Sequence, residues 1–178
     1  VMDPEALAKM VSTGTSSVAA FNAYIQGLAY GASTASSGDV YTFLGARDSY
    51  ERAVQLDPAF SLAYWKLAEF WNVQLTATNI AAGIVELSKE EMNNRFDDAI
   101  DRAILTERDP INGLQYRALK AQKNLRFTKA LRLNTEYLGH RPNDLTAQNE
   151  QLSLLADLSL DDQLAITIRE YQERSGYD

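Results

Sequence analysis

The stretch ARDSYERAVQLDPAFSLAYWKLAEFW, residues 46–71, contains two helical patterns on either side of an Asp-Pro pair. Apolar and small residues recur at the spacing of one helix face: Phe43, Ala46, Tyr50, Ala53 and Val54 before the pair, then Phe60, Tyr64, Leu67, Ala68 and Trp71. Proline suits the first turn of a helix and not its interior, and Asp57 can cap the N–H groups that follow. Two helices joined by so short a turn are expected to pack as neighbours.

The same kind of break recurs at Asp109-Pro110 and at Arg141-Pro142. The interval from Pro110 to Pro142 fits the ~34-residue period of a two-helix repeat. The interval from Pro58 to Pro110 fits that period only with an insertion of about 18 residues. Recurrence at a fixed period indicates a repeat architecture. The alternative is a non-repeating helical bundle in which the breaks are coincidental.

On these residues the chain resembles the tetratricopeptide repeat (TPR) family, over roughly residues 17–175. The family pattern has a bulky residue, Leu-Gly and an aromatic on the first helix, then Ala, an aromatic and Ala on the second, and a closing Pro. The matching residues of four successive helix pairs are Gly27, Tyr30, Ala46, Tyr50, Ala53 and Pro58; Tyr64, Leu67, Ala68, Trp71, Phe96, Ile100, Ala103 and Pro110; Leu114, Ala118, Ala121, Phe127, Ala130, Tyr137 and Pro142; and Leu152, Leu155, Leu164, Ile168 and Tyr171. Asn134 departs from the pattern, because the family has an aromatic there.

The resemblance implies an all-α fold, a right-handed α-α superhelix (a TPR-like solenoid) of three to four helical hairpins. Residues 1–16 would be an N-terminal connecting segment, and residues 17–178 the repeat domain. Its repeats would span about 17–58, 59–110, 111–142 and 143–176. The small residues of the pattern lie where helices approach closely, and its aromatics fill the gaps between repeats.

Two segments interrupt the repeat pattern. Residues 31–39, GASTASSGD, are small and polar, and we expect a loop there. The insertion of the second repeat covers about 74–91, where Ser88 and Glu91 predict a capping box that starts a helix running to about Arg108. Since both insertions fall within a hairpin turn, we expect them on the same rim. The apolar side chains Ile80, Ile84 and Val85 either cover lengthened helices or form a partner-binding lip.

In a TPR-like solenoid the first helix of each hairpin forms the concave face, which binds the partner. Matching by motif assigns that face the partner-binding residues Tyr24, Leu28, Trp65, Lys66, Glu69, Asn72, Gln115, Leu119 and Gln122. Trp65 is the favoured anchor, with Tyr24 beside it, since peptide grooves combine aromatics with polar groups. Packing against the neighbouring repeat is the alternative role of Trp65. A carboxylate clamp is not expected, because Tyr24 and Leu28 occupy positions where it needs polar groups.

Composition is that of a folded protein, with 178 residues, 46% hydrophobic residues and 4 prolines. The absence of cysteine excludes disulfides, cysteine zinc sites and thiol catalysis. No apolar run approaches the ~18 residues of a membrane span. No basic and apolar leader opens the sequence, so we expect no signal peptide. We expect a cytoplasmic location, or a periplasmic one if the chain comes from a membrane-anchored protein.

The net charge of −7 argues against a nucleic-acid partner, because phosphate contacts come from Lys and Arg. Six cations nevertheless recur at helical spacing in the third repeat: Arg117, Lys120, Lys123, Arg126, Lys129 and Arg132. They are either a solvated helix exterior or a docking patch for an acidic peptide.

Residues typical of catalysis are scarce. The one histidine, His140, lies at a predicted helix end, where a cation favourably meets the helix dipole. Acidic pairs such as Glu90/Glu91 and Asp161/Asp162 are typical of helix starts. No phosphate-binding loop, serine elbow or zinc-helix motif is present. We therefore expect no enzyme activity, no metal site and no cofactor.

These observations favour a protein-protein interaction scaffold that binds a protein or peptide on its concave face. The alternatives are a small-molecule-sensing regulatory domain and a homo-oligomerisation module that forms a homodimer. The stretches FNAYIQGLAYGA and SYERAVQLDPAFSLAYWKLAEFW also resemble the repeat region of multidomain bacterial regulators. That resemblance implies a regulatory part of a larger protein.

Overall fold

A computed structural model of the chain describes residue 8 and residues 10–37, 40–76 and 87–175. Every regular element within these ranges is helical, which confirms the predicted all-α class. A helical turn at residues 10–12 precedes eight longer helices. In chain order these are α1 (Val18–Ser37), α2 (Val40–Leu56), α3 (Ser61–Thr76), α4 (Lys89–Thr106), α5 (Pro110–Lys123), α6 (Phe127–His140), α7 (Leu145–Asp157) and α8 (Asp161–Ser175).

The chain forms two compact units, an N-terminal unit (Val1–Arg108) and a C-terminal unit (Asp109–Asp178). Within the N-terminal unit α1 packs on α2 and α3 packs on α4, while α2 also contacts α3. Within the C-terminal unit α5 packs on α6, α6 on α7, and α7 on α8. Each unit therefore contains two pairs of helices that are consecutive in the chain.

Side-chain caps begin several of these helices. The predicted capping box is confirmed, because Ser88 Oγ accepts from Glu91 N while Glu91 Oε2 accepts from Ser88 N. Asp109 Oδ1 accepts from Ile111 N at 2.9 Å, and Pro110 opens α5. Asp57 Oδ1 accepts from Ala59 N at 3.0 Å in the turn before α3. Each Pro break of the sequence thus lies between two helices.

The predicted loop at residues 31–39 is corrected by the structure. Helix α1 continues through Gly31 to Ser37, and residues 38 and 39 lie outside the described part. Thr34 Oγ1 donates back to the carbonyl of Tyr30 and lies 2.8 Å from Thr42 Oγ1 on α2. Contact with α2 therefore holds in a helix a segment whose small polar composition favours a loop.

Small residues let the helices of the N-terminal unit approach closely, as the sequence predicts. The ring of Tyr50 on α2 lies directly against Gly27 on α1. Tyr24 packs on Phe60 with ring centroids 5.2 Å apart, and Phe43 stacks on Phe70 at 4.4 Å. Such ring pairs contribute beyond the area they remove from water.

The core of the C-terminal unit joins α5, α6 and the start of α7. Leu114, Ala118, Leu133, Tyr137, Leu138 and Ala147 form one buried apolar cluster. Asn134 is fully buried beside it and donates through Nδ2 to the carbonyl of Ala147 at 2.8 Å. The residue that departs from the family pattern therefore fixes α6 to α7 by a hydrogen bond instead of by ring packing.

Two helices of the C-terminal unit end in the same way. Leu125 after α5 and Ser159 after α7 both have left-handed backbones, with φ of 57° and 55°. In both cases the N–H of the next residue donates to the carbonyl five positions earlier, Arg126 N to Ala121 O and Leu160 N to Leu155 O. These are Schellman motifs formed without glycine. Their left-handed residues are 34 positions apart (159 − 125).

Candidate functional site

The two aromatics expected to anchor a partner are buried in the N-terminal unit. Tyr24 is 5% exposed between the rings of Tyr50 and Phe60, and Trp65 is 9% exposed. Burial raises the pKa of the Tyr24 hydroxyl, and the nearby Tyr50 and Glu69 add to that rise. This burial favours the packing role that the sequence leaves open for Trp65, and it leaves little of either ring accessible to a partner. Large rings next to alanine and glycine positions bury more apolar area inside the unit than they would in a groove.

Polar side chains of the predicted face stay partly exposed on α3. Lys66 Nζ and Glu69 Oε2 form an ion pair at 2.6 Å, with both side chains about one-third exposed. Asn72 lies one turn further along and is also partly exposed, as is Leu28 on α1. We call Lys66, Glu69 and Asn72 the α3 polar face. It presents one cation, one anion and one amide within two helical turns.

In the C-terminal unit the predicted residues Gln115, Leu119 and Gln122 are partly buried along α5. The structure adds Glu150 on α7, which accepts a hydrogen bond from the Gln122 side chain. Burial raises the pKa of the Glu150 carboxyl and Asp157 raises it further, while the bond from Gln122 opposes them. Glu150 Oε1 is shielded from water and accepts no hydrogen bond.

Glu150 was not predicted from the sequence, because its helix pair matches the family pattern poorly. It lies 35 positions after Gln115 (150 − 115), the same interval that separates the helix caps Asp109 and Asp144. Aligning the two caps would have placed Glu150 on the predicted face. The residues of the predicted rim lip, Ile80, Ile84 and Val85, lie outside the described part of the chain.

A cleft of about 530 Å³ opens between α2, α3 and α4. We call it the α2–α3–α4 cleft. Its lining includes Glu51, Tyr64, Leu67, Trp71, Arg95 and Asp98. The positions of Tyr64, Leu67 and Trp71 fall on the opposite side of α3 from the α3 polar face. The two surfaces are therefore separate.

The cleft combines a ring, a cation and carboxylates. The Arg95 guanidinium lies over the Trp71 ring, 5.3 Å from its centroid. Arg95 Nη1 is also 3.5 Å from Glu51 Oε1. Tyr64 has its pKa raised first by burial, with Asp98 and Asp57 adding to the rise and Arg102 opposing it.

The six basic residues of the predicted third repeat lie on α5, on α6 and in the turn between them. Arg117, Arg126, Lys129 and Arg132 are exposed, and Lys120 and Lys123 are partly buried. His140 is the last residue of α6, as predicted. Exposure fits both a solvated exterior and a docking patch.

Among the described residues, no group of His, Cys, Asp and Glu is arranged to hold a metal ion. The described helices include none that is long and apolar enough to cross a membrane. No family model, curated protein or solved structure matches the chain.

Proposed function

We propose that the chain is a TPR-like helical-repeat module that binds a protein or peptide through the first helix of its hairpins. The observation that carries this proposal is the pair of matching turns at Leu125 and Ser159. Their spacing of 34 residues (159 − 125) equals the period of a two-helix TPR repeat. Related caps at Asp109 and Asp144 begin the first helix of both hairpins. Repetition of a hairpin with its cap and its turn is expected of a solenoid and supports this proposal.

The partly exposed groups on these first helices suit recognition of an extended segment. The α3 polar face offers the ammonium of Lys66, the carboxylate of Glu69 and the amide of Asn72. On α5, Gln115 and Gln122 offer amides on either side of Leu119. Side-chain donors and acceptors in a row on one helix face can bind backbone and polar groups of a peptide.

The burial of Tyr24 and Trp65 changes which residues would carry the affinity. Because both rings are buried, the partner would contact mainly polar and short apolar side chains. Interfaces without a central aromatic anchor have few dominant contacts. We therefore propose a partner bound with modest affinity and with selectivity set by charge.

A charge swap tests this proposal without dismantling the fold. The double variant Lys66→Glu/Glu69→Lys keeps an ion pair at i, i+3 and reverses the order of charges on the α3 polar face. The matched control Arg47→Asp/Asp48→Arg swaps the ion pair of α2, whose charged atoms are 2.6 Å apart. Partners captured from the source lysate by the unchanged chain are compared by mass spectrometry with those of each variant.

We expect the α3 swap to lose the captured partners and the α2 swap to keep them. Thermal melting of both variants verifies that each remains folded. Equal capture by all three proteins would refute the role of the α3 polar face. Loss with the α2 swap alone would move the interface to α2.

A further inference from the structure

The α2–α3–α4 cleft contains an internal cation. The Arg95 side chain of this chain is surrounded by the groups that would bind a cationic ligand, an aromatic ring and a carboxylate. The ring face of Trp71 lies 5.3 Å from it and the carboxylate of Glu51 lies 3.5 Å from it. A guanidinium over tryptophan with a carboxylate beside it is a recurrent way in which proteins hold organic cations.

The internal contacts of Arg95 are easily replaced. Half of its side chain is exposed, and Glu51 is 35% exposed. Their ion pair is longer than a charge-assisted hydrogen bond of ideal geometry, and solvent screens it. A second cation could therefore take the place of Arg95 while the Arg95 head group moved into water, since long basic side chains extend readily to solvent.

Carboxylates outnumber cations in the lining of the cleft. Glu51 and Asp98 both line it, against Arg95 alone. Asp98 Oδ1 lies 3.9 Å from Arg102 Nε, a distance at the outer limit of an ion pair. A ligand with a positive charge would complete this arrangement, whereas an anion would meet two carboxylates. Tyr64 and Leu67 line the remaining wall and offer aromatic and apolar surface to a hydrocarbon stem.

We propose that the α2–α3–α4 cleft binds an organic cation, a guanidinium or ammonium group on an apolar stem. The cation displaces Arg95 from the Trp71 ring and pairs with Glu51 and Asp98. The volume of about 530 Å³ falls within the range of small-ligand sites. This proposal is independent of the proposed function, because the cleft and the α3 polar face are on opposite sides of α3.

Two sources could present such a group, a free small molecule or an arginine side chain of a peptide. The shared chemistry is tested first, by isothermal titration of the full chain with N-acetyl-arginine amide and with an acetylated pentapeptide containing one central arginine. The matched probes carry citrulline, which keeps the shape of arginine and has no charge. We expect both arginine probes to bind and both citrulline probes to bind about tenfold or more weakly.

Tighter binding of the pentapeptide than of the amide identifies a peptide as the source. Equal binding identifies a free organic cation, since the flanking residues then contribute nothing. Both outcomes support a cation site. Absence of binding by either arginine probe, or equal binding of arginine and citrulline, overturns the proposal.

Three variants locate the binding. Glu51→Gln removes a carboxylate of the cleft, and we expect it to weaken arginine binding about threefold to tenfold. Arg95→Gln removes the internal competitor, and we expect it to strengthen binding by about threefold or more. Asp97→Asn is the control, because it also removes one carboxylate. Asp97 is an exposed residue of α4 outside the cleft lining, so we expect its substitution to leave the affinity unchanged.

We expect Glu51→Gln to lower the affinity for arginine and Arg95→Gln to raise it. This pair of results distinguishes binding in the cleft from general attraction of a cation to an acidic protein. Removing a cation from the surface strengthens general attraction only slightly, and Asp97→Asn measures how much one charge matters. If Arg95→Gln does not bind the arginine probes more tightly, the ligand does not displace Arg95. If Asp97→Asn weakens binding as much as Glu51→Gln does, the attraction is not specific to the cleft. Quenching of Trp71 fluorescence on titration gives an independent readout, checked with Trp65→Phe to remove the second tryptophan.

Discussion

The ring of Tyr50 occupies the space where residue 27 would carry a side chain. A Cβ atom built on Gly27 would lie 2.6 Å from Tyr50 Cδ1, a distance that requires one of the helices or the ring to move. Tyr50 is buried and packs on Tyr24 at 6.0 Å between ring centroids. The contact joins α1 to α2 and makes glycine necessary at position 27.

We predict that Gly27→Ala lowers the free energy of unfolding by about 1–3 kcal/mol, because the added methyl overpacks the contact with Tyr50. Chemical denaturation with urea measures the change. Gly139→Ala on α6 is the matched control, since its new Cβ meets no atom within 4 Å. The control gains up to about 1 kcal/mol from the better helix propensity of alanine. Equal effects of the two substitutions would contradict the tight contact.

Asn134 is predicted to stabilise the C-terminal unit through the buried hydrogen bond from its Nδ2 to the carbonyl of Ala147. Asn134→Ala leaves the carbonyl of Ala147 without its side-chain donor and opens a small cavity. We expect a loss of about 1–3 kcal/mol in the free energy of unfolding. Asn149→Ala on the exposed side of α7 should change it by no more than about 0.5 kcal/mol. A loss no larger at position 134 than at position 149 would show that the bond contributes nothing.

Leu125 has a left-handed backbone that an L-residue adopts at a cost of about 1–2 kcal/mol. Its side chain is 75% exposed, so little apolar contact is lost on its removal. We predict that Leu125→Gly raises stability by about 0.5–1 kcal/mol after the extra entropy of the unfolded glycine chain is subtracted.

Leu105→Gly is the matched control for the turn at Leu125. Leu105 is 76% exposed but helical, so the same substitution there should lower stability by about 1 kcal/mol. Thermal unfolding of both variants measures the effects. If Leu125→Gly lowers stability as Leu105→Gly does, instead of raising it, the result would argue against the Schellman turn after α5.

The half-buried carboxyl of Glu150 predicts a dependence of stability on pH. Its folded pKa is raised above the unfolded value, chiefly by burial. Such a group favours the folded state below its unfolded pKa, and that contribution is lost as pH rises through the folded pKa. Glu150→Gln should therefore raise Tm near neutral pH and give no gain in acid below the unfolded pKa. A gain that is the same at both pH values would show that the carboxyl titrates normally.

Much of the helical order could be predicted from local signals. Pro58, Pro110 and Pro142 remove backbone donors, so the helix breaks beside them are fixed by covalent structure. The capping box of Ser88 and Glu91 depends on residues within one turn, which the sequence displays directly. Gly27 and Tyr50 needed the family pattern as well, because their contact joins two helices.

The burial of Tyr24 could not be predicted, because its ring packs on Tyr50 of α2 and on Phe60 just before α3, and these contacts join residues distant in the sequence. A single apolar stripe then underestimates the core of its helix. Residues 31–37 read as a loop because their propensity is weak, and contact with α2 overrides it. Predicting the position of Glu150 required the register of α7. The fourth helix pair matches the family pattern too poorly to give that register.

We propose that a partner contacts the α3 polar face, and site-specific cross-linking can capture that contact as a covalent bond. A photo-cross-linking amino acid is placed at position 72, at the end of that face, and separately at exposed position 97 on α4. After irradiation in the source cells, the covalent products are identified by mass spectrometry. We predict a partner protein joined to position 72 and absent from position 97. Products from position 97 alone, or none from position 72 in a chain that melts as the unchanged protein does, would contradict the claim.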